Sequence, residues 1–203
     1  MKLPSPINIK LDGVTTQLSA DTAKLAKQVN ALRPVSSEVM KRIEQELLGE
    51  CVYNSNAIEG SQLTLRETVL VLQSGQTVDV GRRRDATEAA NLGTVIDNLQ
   101  GVIDDRDVWG DRDLFLEQHR VLLGGVNDDY AGVFRNQSVM IRGAMYQPPS
   151  ETRIHDLMNE TFGYLRDSAE TEPIRLATWT HWAIARIHPF FDGNGRMARL
   201  WQD

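Results

Sequence analysis

Residues 173–187 distribute Ile174, Leu176, Ala177, Trp179, Trp182, Ala183, Ile184, Ala185 and Ile187 around the whole circumference of a helix. A helix apolar on every side needs neighbours on every side, so this segment belongs at the centre of a helical body. Pro189 stops it. Proline has no N–H and disfavours helical geometry in the residue before it, which leaves His188 at the end of a rigid buried rod.

The rest of the chain supplies candidate neighbours. Helical spacing runs over 16–32, from the Ser36 cap through Val39, Ile43, Leu47, Val52 and Ile58 to Gly60, over 84–104, over 113–123 and over 150–167. Thr64-Leu65-Arg66-Glu67 fits a capping box that opens a further helix ending near Ser74-Gly75. Only 138–146 breaks the rhythm, with Arg142-Gly143-Ala144 between two short arms rich in Val, Met and Ile, as in a small β-hairpin. A lone hairpin is marginal without a body to lean on. The expected fold is mainly α: a helical bundle with a small β-hairpin. Residues 1–15 carry two prolines and read as an extended arm.

A length of 203 residues with 41% hydrophobic side chains suffices for one domain with its own core. Its 22 Lys and Arg against 28 Asp and Glu leave a net charge of −6, the wrong sign for coating a nucleic acid. Arg82-Arg83-Arg84 is followed at once by Asp85 and Glu88 and reads as a solvated helix entry. Cys51 is the single cysteine, which excludes an internal disulfide, agrees with a reducing compartment and reads as a small buried hydrophobe. The first residues lack a signal-peptide core and no apolar run approaches the roughly 18 residues of a membrane span, so no membrane partner and a cytoplasmic address are expected.

The chemistry lies just after the central helix, in His188-Pro189-Phe190-Phe191-Asp192-Gly193-Asn194-Gly195-Arg196-Met197-Ala198-Arg199. Two glycines around an asparagine let backbone amides turn inward, and the helix that follows adds its positive end, so Gly193, Asn194 and Gly195 form a candidate anion nest for phosphates. Asp192 can hold a divalent cation such as Mg²⁺ shared with a nucleotide's phosphates. Arg196 and Arg199 can take phosphate oxygens, and His188 can accept a proton. Phe190 reads as a core anchor; His119, His155 and His181 read as satisfied packing residues, and Trp179 and Trp182 as core.

The string His188-Pro189-Phe190-x-Asp192-Gly193-Asn194-Gly195-Arg196-x-x-Arg199 resembles the signature of the Fic family, with every defining position filled. Gly132-Val133-Phe134-Arg135, Val139, Ile141 and Tyr146-x-Pro148-Pro149 look like the stretch that builds that family's target-positioning flap, here centred on Val139, Met140, Ile141, Arg142 and Gly143. Ser55-Asn56-Ala57-Ile58-Glu59-Gly60 is similar to the family's inhibitory motif, and its place before the core suggests the class with an N-terminal inhibitory helix.

The resemblance implies transfer of AMP from ATP to a Ser, Thr or Tyr hydroxyl of a target protein, conceivably the chain itself. It makes His188 the general base, Asp192 the Mg²⁺ ligand, and Arg196 and Arg199 the phosphate partners. It also pairs Glu59 with Arg199, denying that arginine to the γ-phosphate. Residues 1–35 form an N-terminal arm and helix that match nothing, 36–80 a helical region with the inhibitory motif, and 81–203 the Fic core. The last residue falls about two turns into the arginine-bearing helix, so the core reads as shortened at its C-terminus. Two other readings stay open: removal of AMP by the same site, and a noncatalytic nucleotide- or partner-binding module. A homodimer controlling Glu59 also stays open.

Overall fold

The computed structural model describes residues 3–5, 13–75, 80–102, 108–141, 143–167 and 173–202. Among them are eight α-helices: α1 Gly13–Asn30, α2 Ser37–Ile58, α3 Leu65–Ser74, α4 Arg83–Gln100, α5 Arg112–Leu123, α6 Ile154–Asp167, α7 Pro173–Ile187 and α8 Asn194–Leu200. Helix α4 packs against α2, α3 and α5, and α7 against α6 and α8.

The boundaries follow from local chemistry. Ser36 caps α2 by accepting from the Val39 N–H, and Thr64 and Glu67 close the expected capping box at α3. Helix α3 ends at Gly75, whose φ of 66° is left-handed and costs glycine nothing. Asp111 caps α5 through the amides of Asp113 and Leu114. Helix α4 ends at Gln100, short of the expected 104, and residues 103–104 lie outside the described ones.

Phe115 is the hub of the core. It is fully buried, with ring centroids of Phe162 and Phe190 at 5.4 Å, Trp201 at 5.0 Å and Phe134 at 6.4 Å. Trp201 thereby packs the end of α8 onto the body, as a helix this short requires. The arm contributes as well: Leu3 is buried and the carbonyl of Pro4 accepts from Trp179 Nε1 at 2.8 Å, a contact that nothing in the local sequence pattern announces.

Several expectations need correcting. No β-strand occurs among the described residues, so the hairpin over 138–146 is not formed; Arg142, its expected turn residue, lies outside them. Gly143, Met140 and Met145 are exposed, the last two almost completely, and Val139 and Ile141 only half-buried. The arms therefore have no apolar face against the body to support a ladder, and one turn bond, Ala144 N–H to Ile141 O at 3.1 Å, remains. Cys51 is exposed because α2 turns Gly49, Val52, Ser55 and Asn56 inward and Cys51 away. Of the apolar row on α2 only Val52 is buried. Nor is α7 covered all round: Trp179 is buried, but Trp182 lies on an open side, where the Arg186 guanidinium stacks 5.6 Å from its ring and 4.1 Å from that of Tyr146. Among the described residues no helix is long and apolar enough to cross a membrane.

Truncating Phe115 to alanine removes the hub on which four rings meet, and is expected to cost about 3–5 kcal/mol. Urea unfolding of Phe115→Ala checks this; a loss below about 1 kcal/mol would place the core elsewhere.

Candidate functional site

His188 ends α7 with its N–H on the Ile184 carbonyl at 2.9 Å and then adopts φ 53°, a left-handed conformation rare outside glycine. Its Nδ1 lies 3.4 Å from the Ala185 carbonyl, which can only accept, so Nδ1 carries the proton and Nε2 is left as the acceptor. Burial pushes the imidazole's pKa below its ordinary value; the Arg135 charge acts in the same sense, while the Ala185 carbonyl, Glu59 and Asp192 oppose. The ring is thus held neutral at pH 7, as a base requires.

The loop that follows is pinned from inside. Phe190 is buried, and its N–H and C=O both bond the Asn194 side chain, each at 2.9 Å. Gly193 takes φ 76°, and the Gly193 N–H donates to Asp192 Oδ1 at 2.7 Å. Asn194 therefore contributes a structural side chain in addition to the backbone amide expected of it.

His119 on α5 completes the support. It is fully buried and stacked on Phe190, with ring centroids 3.5 Å apart and planes within 5°. Its Nδ1 accepts from the Gly132 N–H at 2.9 Å, so Nε2 carries the proton and donates to the Asp192 carbonyl at 3.0 Å. His119 is the satisfied packing residue expected, and it ties the metal-ligand candidate to the chain that enters the flap. His155 packs its edge on Phe134, whereas His181 Nδ1 is buried without a hydrogen-bond partner.

Charges alternate around Asp192. Arg196 is 2% exposed and lies 3.7 Å from both Asp192 and Glu88. Arg84 lies 3.2 Å from Glu88 and 3.6 Å from Asp192. The arginine run is therefore more than a solvated entry: Arg84 reaches the site, and Arg82 pairs with Glu67 at 2.9 Å. In the sequence Glu88 reads only as part of a solvated helix entry. Its signal was an acid at helical spacing from Leu92 and Val95, on the buried face of α4. Arg196 is turned into the protein, so its direct contacts are carboxylates.

Arg199 joins the far helix to this loop. Its Nε donates to Ser55 Oγ at 2.9 Å, and Nη2 donates to the Ser55 carbonyl at 3.1 Å and to Glu59 Oε1 at 2.6 Å. A Cβ on Gly195 would fall 2.3 Å from Glu59 Oε1, so the absence of a side chain there lets the carboxylate settle against the start of α8. The structure thus brings together His188, Asp192, Gly193, Asn194, Gly195, Arg196, Arg199, Ser55 and Glu59. Of the flap residues, Val139, Met140, Ile141 and Gly143 lie on the segment that leaves Arg135, and Arg142 falls outside the described residues.

Residues 109–203 match the model of the Fic/DOC family, and that part of the chain belongs to it. It is 30% identical over 181 residues to a protein adenylyltransferase Fic of Culex quinquefasciatus, covering 87% of this chain and 36% of that protein. It is 29% identical over 195 residues to protein adenylyltransferase fic-1 of Caenorhabditis elegans, covering 92% and 38%. The chain thus spans little more than a third of the curated relatives it matches. Among solved structures, a Fic domain containing signaling protein from Bacteroides thetaiotaomicron superposes with a TM-score of 0.81 at 27% identity, covering 89% of this chain and 70% of that one.

Burial holds the His119 pKa down to about 4, against the pull of the Asp192 carbonyl and charge. The unfolded chain takes up this proton near pH 6.5, so it binds more protons than the folded one between about 6.5 and 4, and stability is lost as pH falls through that window. The loss from this group is about 3 kcal/mol. Urea unfolding at pH 7 and 4.5 should show a shallower pH slope for His119→Gln than for wild type; equal slopes would contradict a buried neutral imidazole.

Proposed function

We propose that the chain is a protein adenylyltransferase that moves AMP from ATP to a hydroxyl of a target protein and is held back by Glu59. One observation carries this reading. The Glu59 carboxylate sits against Gly195 at the start of α8 and is bound by Arg199 at 2.6 Å, so the loop that follows His188 already takes an anion where a nucleotide phosphate would lie.

In the proposed reaction the target hydroxyl attacks the α-phosphorus. The new O–P bond forms as the bond to the β-phosphate oxygen breaks, pyrophosphate leaves, and His188 Nε2 takes the hydroxyl proton. The backbone amides of Asn194 and Gly195, joined by that of Gly193 once it leaves Asp192 Oδ1, hold phosphate oxygens. Arg196, through its buried contacts, keeps Asp192 aimed and lends positive field to the leaving group. Arg199 serves the γ-phosphate once Glu59 withdraws.

Asp192 fits Mg²⁺ as a single carboxylate, 39% exposed, that would share the ion with substrate phosphates and water. Among the described residues no cluster of three His, Cys, Asp or Glu offers an all-protein cage. Bound there, the ion would neutralise charge on the phosphates. Val139, Met140, Ile141, Arg142 and Gly143 would act as a flap on which a target strand could lie by main-chain pairing; the exposed Met140 suits an added strand.

Label transfer from α-³²P-ATP with Mg²⁺, to the protein itself and to lysate proteins, tests the reading. Glu59→Gly should raise transfer roughly 5–150-fold, the size of an ordinary coupling free energy, and adding His188→Ala should abolish it. Loss of a wild-type reaction on Glu59→Gly would instead favour hydrolysis of AMP-modified protein with Glu59 aligning water. Binding of ATP without turnover in either variant would leave a noncatalytic module.

A further inference from the structure

Arg135 is a cation almost completely removed from solvent; the Glu151 charge acts on it, but no carboxylate lies within ion-pair distance among the described residues. Its main-chain N–H donates to the Pro189 carbonyl at 2.8 Å and its Nε to the His188 carbonyl at 2.7 Å. Nη1 donates to the Gln137 carbonyl at 2.8 Å and Nη2 to the Pro149 carbonyl at 2.6 Å. Gln137 stands where the flap leaves the body and Pro149 where it returns. The same neck is closed from outside, where Ser138 Oγ donates to Glu151 Oε2 at 2.9 Å.

This arrangement answers two structural problems at once. His188 is in a left-handed conformation that its own side chain does not favour, and something must hold its carbonyl. The flap forms no ladder among the described residues, so nothing within it fixes its distance from the base. A planar guanidinium with donors in a fixed fork can hold three carbonyls in one frame, which a single ammonium cannot. The carbonyls come from three stretches of chain: the flap's start, its end and the base.

We propose that Arg135 is a positioning residue whose one guanidinium locks both ends of the flap and the main chain of His188 together, setting the distance between a target laid on the flap and the imidazole. The proposal rests on the transferase reading for its consequence, but its geometry can be tested alone. On that reading nucleotide is held by 192–199, to which Arg135 makes none of these hydrogen bonds. Loss of the clamp therefore leaves ATP binding intact and misplaces base against hydroxyl, an error of about an ångström that costs about a hundredfold in rate.

In a Glu59→Gly background, Arg135→Lys keeps the charge and most of the volume. It should lower the label-transfer rate at saturating ATP about a hundredfold while the KM for ATP and the affinity for a fluorescent ATP analogue with Mg²⁺ stay unchanged. The His188 ¹³Cα and ¹³Cβ shifts, which report its backbone conformation, should move in Arg135→Lys. In the wild-type chain, which needs no variant to fold, the Arg135 side-chain N–H groups should give resolved, slowly exchanging NMR signals. Averaged guanidinium signals in wild type, unmoved His188 shifts in the variant, or a variant that transfers at the parental rate would each overturn the clamp. If the Glu59→Gly parent transfers no label, the transferase reading fails, and the NMR readouts still decide the clamp.

Discussion

The contact on which the arrangement of the site depends is the Arg199 guanidinium bridging α8 to α2 across 140 residues of sequence, through Ser55 and Glu59. Hydrogen bonds to charged groups contribute roughly 1.5–3 kcal/mol when partly buried. Both partners are partly shielded, at 21% and 35% exposed, so water does not screen the pair as it would on an open surface. The same bond fixes the last turn of α2 over the start of α8 and places a carboxylate against Gly195. Fold stability and the proposed restraint of the site therefore draw on one interaction, with which, on the transferase reading, a nucleotide phosphate would compete.

Beneath that contact, the stacked rings of His119, Phe190 and Phe115 form a column from the loop into the core. The column explains why a loop of small and polar residues can be rigid. Asn194 closes it on Phe190 with two bonds, His119 holds it at the Asp192 carbonyl, and Arg135 holds it at His188 and Pro189. Preorganisation of this kind avoids having to order the loop when a substrate arrives. Around Asp192 the alternation of Arg84, Glu88 and Arg196 keeps the buried charges of Glu88 and Arg196 next to their opposites.

Much of this was legible in the sequence because it rests on local rules. The Thr64 capping box, the Ser36 cap, the Gly75 stop and the end of α7 before Pro189 are set by near neighbours in the chain and stand as read. The Glu59–Arg199 pair is what the family resemblance implied, with Ser55 expected only on the same helix face as Glu59; the bonds from Arg199 to Ser55 were not foreseen. What could not be read depends on distant partners. Whether Cys51 or Trp182 faces inward is decided by which helices cover α2 and α7, and periodicity gives a face without naming its neighbour. Glu88 and His119 look like ordinary helix residues until Arg196 and Asp192 are brought to them. The hairpin failed because strand propensity over 138–146 has no surface to be realised on.

On the proposed reading Glu59 withholds Arg199 from the γ-phosphate. Calorimetric titration of wild type and Glu59→Gly with ATP and with ADP, both with Mg²⁺, tests it most directly, because the two ligands differ by the one phosphate at issue. The account predicts that Glu59→Gly tightens ATP by about tenfold or more, the value of one charge-assisted contact, and ADP far less. An equal gain for both nucleotides, or no gain for ATP, would contradict it.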